Sequence, residues 1–201
     1  MENEQRKRLL ASLQESFFGF YKEKNIKIVM KICLMGLLVA LLIVFERTVY
    51  IPVGDSSRYS FTFIMIYVSG LLLGAVDAAL VAGTADVVGG ILAGYSINPL
   101  ITACVMISAF GAGLLLYKDR SLVKLSVAII INELVCSLLL KSAAFAIFYG
   151  GGMKSYPHYL GIRIVQFAIM TPVEFVVMFL LYKTLFPRLK KMVNEVIINE
   201  R

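Results

Sequence analysis

Arg58, Asp86, Asn98, Arg163 and Gln166 are the residues of this 201-residue chain best suited to chemistry. The chemistry they suit is recognition. Arginine presents a planar fork of donors matched to carboxylates. Asp86, Asn98, Asn132 and Gln166 offer donors and acceptors to a heterocycle. Phe61, Phe63, Tyr95, Tyr149, Tyr156 and Tyr159 offer flat faces for stacking. A few polar groups in an apolar hollow is how small-ligand sites are built. Lys154 is a further cation near the same loops.

Catalysis is poorly provided for. No G-x-x-x-x-G-K-[ST] run is present, so no Walker-type nucleotide site is expected. His158 is the single histidine, which argues against His-based metal sites and Ser-His-Asp triads. Asp77, Asp86, Glu133 and Glu174 lie on different segments and match no hydrolase spacing. Cys33, Cys104 and Cys136 fall inside apolar segments without C-x-x-C, as buried small hydrophobes do. The chain reads as a non-enzyme, with no metal and no cofactor.

Each candidate has a plainer reading beside it. Arg58 and Arg163 suit interfacial anchoring, Asp86 suits pairing with Lys141, and Asn98 before Pro99 suits a helix cap. The aromatics suit a membrane belt. Along the last segment, however, Arg163, Gln166, Met170 and Glu174 repeat every three or four residues. A polar stripe running into the membrane is not explained by snorkelling alone.

The elements that must position these groups are membrane helices. The chain is 59% hydrophobic with a mean hydropathy of +0.82, too apolar for a soluble domain. The predicted fold is an all-α bundle of six transmembrane helices, with spans over 28–49, 60–74, 78–93, 99–117, 122–149 and 162–186. Residues 50–58, 95–98, 118–121 and 150–158 read as loops from their Pro, Gly, Ser or charge content. Residues 1–27 read as a cytoplasmic or interfacial arm, 28–189 as the binding domain and 190–201 as a basic cytoplasmic tail. No cleavable signal peptide is expected in the charged first 27 residues.

Net charge is +7, but the basic residues sit beside hydrophobic segments, which points to a lipid bilayer and not to nucleic acid. Fifteen of the 20 Lys and Arg residues fall on the side holding both termini and residues 118–124. Four, Arg47, Arg58, Lys154 and Arg163, fall on the other, and Lys141 lies within a span. The positive-inside rule then puts both termini in the cytoplasm and the loops near Arg58, Asn98 and Lys154 outside together.

Small residues organise the middle of the chain. Gly70, Gly74, Ala78, Ala82, Asp86, Gly90 and Gly94 recur at every fourth position. Lipid gives helices no hydrophobic reason to associate, so close approach through small residues takes over. Asp86 is thereby expected on a face that meets protein or a wet cavity, since a carboxylate in lipid is costly. Gly36 and Ala40 give the first span a similar small face, for packing within the bundle or for docking another membrane protein.

Three runs resemble a known family. Arg58-Tyr-Ser-Phe61-Thr-Phe63-Ile, Asp86-Val-Val-Gly-Gly90 and Arg163-Ile-Val-Gln166-Phe-Ala-Ile-Met170-Thr-Pro172, over a resemblance spanning 28–189, resemble the S components of energy-coupling-factor (ECF) vitamin transporters, the folate-specific branch in particular. The resemblance implies capture of a vitamin from outside a prokaryotic cell. It also implies that an ECF transmembrane T component and two cytoplasmic ATPases supply the energy. It assigns Gly36 and Ala40 to docking on the T component. Arg58, Phe61, Asp86, Tyr95, Asn98, Tyr149, Arg163 and Gln166 are the candidate substrate-binding residues. Riboflavin, thiamine, biotin and pantothenate are alternative ligands; a self-contained channel or ion-coupled carrier, with Asp86 and Lys141 as its path, is the alternative from another class.

Overall fold

The computed structural model describes residues 28–53, 57–94, 96–117, 121–150 and 152–184. The arm over 1–27, the tail over 190–201 and Tyr95 lie outside them, as do the side chains of residues 51–59, Arg58 among them. Among the described residues six helices form the bundle: α1 (Ile28–Thr48), α2 (Phe63–Leu73), α3 (Ala75–Leu92), α4 (Pro99–Leu116), α5 (Leu122–Phe148) and α6 (Tyr156–Thr184). The helices α3 to α6 are long and apolar enough to cross a membrane, α6 together with the 3-10 turn Met153–Ser155 before it. With 11 residues, α2 is shorter.

The expected all-α architecture needs one correction. The Pro- and Gly-bearing segment after α1 is a hairpin of two antiparallel strands, β1 (Tyr50–Val53) and β2 (Ser57–Ser60), with Tyr50 opposite Ser60. Its base closes through the Phe61 amide donating to the Val49 carbonyl at 3.1 Å. The 150–158 loop is also partly helical, because Met153–Ser155 forms a 3-10 turn that feeds directly into α6.

The short α2 is the hub. Eight of its 11 residues are buried, including Tyr67, Leu71 and Leu73. It packs on α4, and α4 packs most extensively on α3. Small residues permit this. A Cβ on Gly113 of α4 would lie 2.5 Å from Ala75 Cα, and one on Gly70 would lie 2.7 Å from Gly113 N. Between α2 and α3 the chain turns at Gly74 with φ +87°, a conformation open to glycine at little cost. Helix α1 lies along α3, joined by the Lys31–Asp77 ion pair at 2.8 Å. Helix α6 packs on α5 and reaches α2, closing the bundle.

The middle of α5 departs from α geometry. Asn132–Leu140 is a π-helical stretch. Such stretches are rare and are frequent at functional sites. This one turns Asn132, Glu133 and Ser137 toward the bundle interior, in line with Lys141 and Phe145.

Candidate functional site

The α1–α2, α3–α4 and α5–α6 connections lie at one end of the bundle, and residues next to all three border a cavity of about 670 Å³. That volume is in the range of small-molecule pockets. Near its mouth stand Glu46 and Arg47 from the end of α1, Ser60 and Thr62 from the hairpin base, and Ser96 to Asn98 from the α3–α4 turn. Deeper walls come from Ala82, Ala85 and Asp86 of α3, Ser108 of α4 and Ile66 of α2.

Local chemistry fixes several of these groups. Asn98 caps α4: its Oδ1 accepts from the amides of Leu100 and Ile101 at 3.1 and 3.4 Å. Pro99 at the first helical position fits the cap, since it has no amide to satisfy. The cap consumes only the oxygen. Asn98 is 6% exposed, and its Nδ2 has no hydrogen-bond partner among the described residues. Asp86 accepts from Thr102 Oγ1 at 2.5 Å across the α3–α4 interface. Arg47 donates from Nη2 to the Gly89 carbonyl at 2.5 Å, clipping the end of α1 to the last turns of α3.

The stripe on α6 faces the cavity as its spacing predicts: Arg163, Gln166, Met170 and Glu174 all line it. Arg163 and Glu174 are eleven positions apart, so the stripe descends about 16 Å at 1.5 Å per residue. Arg163 donates from Nη1 to Gln166 Oε1 at 2.8 Å, and its guanidinium lies 4.9 Å from the Phe145 ring centroid. Opposite, α5 contributes Asn132, Glu133, Ser137, Lys141 and Phe145, and Tyr149 follows at its C-terminal end. Asn132 donates to the buried Tyr67 hydroxyl at 3.2 Å.

Of the candidate binding residues, Asp86, Asn98, Tyr149, Arg163 and Gln166 line this one cavity. Phe61 does not. Helix α2 begins at Phe63, three residues later than the apolar pattern implies, so Phe63 faces the cavity while Phe61 packs against its ring, 5.8 Å between centroids. Asp86 is bonded to Thr102 and makes no ion pair with Lys141. The sequence reading missed Glu46 and Arg47 because they look like span-ending charges. Glu133 and Lys141 were visible as intramembrane charges, but their common face depends on the π-helical turn. Gly36 and Ala40 lie away from the cavity on an exposed face of α1.

Residues 26–191 match the family described as "ECF-type riboflavin transporter, S component". No curated protein matches the sequence. Among solved structures, the crystal structure of FolT bound with folic acid superposes with a TM-score of 0.67. It is 24% identical, and the match covers 77% of this chain and 93% of that one. The likeness establishes a shared fold. With a membrane-embedded helical bundle, a polar hollow at one end and a family match over most of its length, the chain belongs to the S components of ECF-type transporters.

Proposed function

We propose that this protein is the vitamin-binding subunit of an ECF transporter in a prokaryotic plasma membrane and that its vitamin is folate. The carrying observation is the order of charge along the cavity. Arg163 lies toward the mouth, Lys141 one turn of α5 below Phe145, and Glu133 and Glu174 at the floor. Folate has a matching order, with two carboxylates on its glutamate tail and a pterin rich in N–H donors at the other end. Its tail meets the cations, and its ring passes Asp86 and Asn98 toward the floor. The fold shared with FolT, whose crystal structure holds folic acid, points the same way.

The bundle crosses the membrane six times with both termini in the cytoplasm, so the cavity opens outward, opposite the basic face. The hairpin and the 94–98 and 150–161 connections gate it. Release inward follows docking on the T component and its two ATPases, with Gly36 and Ala40 on the docking face.

A second reading, riboflavin, is favoured by the description of the family. Riboflavin is uncharged and brings no carboxylate to Arg163 or Lys141, whereas the glutamate tail of folate brings two. Titration of the purified protein with folate, riboflavin, thiamine, biotin and pantothenate decides the matter. Tight binding of folate supports the proposal. Tight binding of another vitamin with none of folate overturns it. Flux through the chain reconstituted alone, without ATPase partners, supports the self-contained carrier instead.

A further inference from the structure

Glu174 ends the polar stripe of α6 on the cavity floor. It is 4% exposed, and its Oε2 has no hydrogen-bond partner among the described residues. A buried acceptor in this state calls for a donor. Its neighbours in the bundle leave Oε2 bare. Asn132 gives an amide hydrogen to Tyr67, and Glu133, a second carboxyl group, engages the Glu174 side chain by a hydrogen bond without covering Oε2. A metal ion fits poorly as well. No group of three or more His, Cys, Asp and Glu among the described residues could hold one, and the Lys141 ammonium is close enough to act on Glu174. Oε2 is left for whatever fills the cavity.

We infer that Glu174 is a specificity-determining residue, accepting an N–H from the inserted end of the ligand's heterocycle. This rests on the folate reading and deepens it: the pterin enters first, and the glutamate tail stays near Arg163. A pterin places a ring N–H and an exocyclic amino group side by side, two donors on one edge. A flavin places a single ring N–H between two carbonyls, whose lone pairs oppose a carboxyl oxygen. One buried acceptor therefore separates the two flat heterocycles by their donor patterns. Asn98 Nδ2, a second bare atom of the cavity wall, lies near the mouth and offers a donor to the part of the ligand held there.

The test compares folate with 2-desamino-2-methylfolate, which lacks the exocyclic donor, on the wild-type chain and on Glu174→Gln. Thermal unfolding confirms that the near-isosteric variant is folded. Glu174→Gln is expected to weaken folate by about ten- to hundredfold, the range for a buried ligand donor left without its acceptor. The analogue binds the wild type weakly and loses less than about threefold in the variant, because the pair is coupled. Equal losses for both ligands, or no loss for folate, overturn the inference and leave the folate reading standing. Binding of riboflavin and not folate by the wild type overturns both. If the variant does not fold, the wild-type comparison decides: equal affinity for folate and the analogue overturns the role of Glu174.

Discussion

Arg163 and Gln166 are bonded one turn apart on α6, Nη1 to Oε1 at 2.8 Å, and the Phe145 ring backs the same guanidinium at 4.9 Å. The arginine is thus held from two sides before any ligand arrives. A positioned guanidinium loses less side-chain freedom on binding than a loose one, which lowers the cost of capture. Arg163→Ala is expected to weaken folate by about ten- to hundredfold while changing binding of a pterin without a glutamate tail far less. Equal losses in the two titrations would remove the carboxylate role. Gln166→Ala, which only frees the arginine, should cost folate less than Arg163→Ala does.

The crossing of α2, α3 and α4 sets a steric prediction. At Gly113 an added Cβ meets the Ala75 backbone at 2.5 Å, whereas at Gly111 of the same helix nothing lies within 4 Å. Gly113→Ala must push backbone apart, with a loss of about 1–3 kcal/mol. Gly111→Ala should be neutral or mildly stabilising, since alanine is the better helix former. Thermal unfolding of the two variants in detergent checks the difference, and a Gly113→Ala protein as stable as the wild type would refute the close crossing.

The Lys31–Asp77 pair is mostly buried, its side chains 14% and 8% exposed. Breaking such a pair leaves an uncompensated charge, whereas replacing both partners by apolar groups does not. Asp77→Asn should therefore destabilise the bundle by about 3 kcal/mol. The double change Lys31→Met with Asp77→Leu should recover most of that loss. Denaturant titration of both variants tests this, and a double variant no better than the single one would contradict it.

On α1, Gly36 and Ala40 are exposed, and a Cβ on Gly36 meets nothing within 4 Å. Gly36→Trp should leave folding and vitamin binding unchanged. If this face docks the T component, the same variant should fail to co-purify with the T component and its ATPases. Assembly that survives the tryptophan would remove the docking role.

The stripe from Arg163 to Glu174 was legible because a helix repeats every three to four residues, so a polar period is visible without knowing its neighbours. The Asn98 cap was legible for a related reason, since cap and helix are contiguous in the chain. The recurrence of small residues from Gly70 to Gly90 likewise announced a face built for close approach, and Gly70, Ala78 and Ala82 are buried there. The hairpin was not legible. Two four-residue strands interrupted by proline and glycine look like a loop until they pair with each other.

By itself the sequence determined a membrane bundle with a polar face on its last helix, because hydropathy and helical period are local properties that each segment carries. Only the tertiary structure decided which charges share a hollow. Arg47 reaches Gly89 across 42 residues, Asp86 meets Thr102 across a helix interface, and a π-helical turn carries Glu133 to the floor beside Glu174. Those meetings depend on how whole helices pack, and no local pattern of residues encodes that distance.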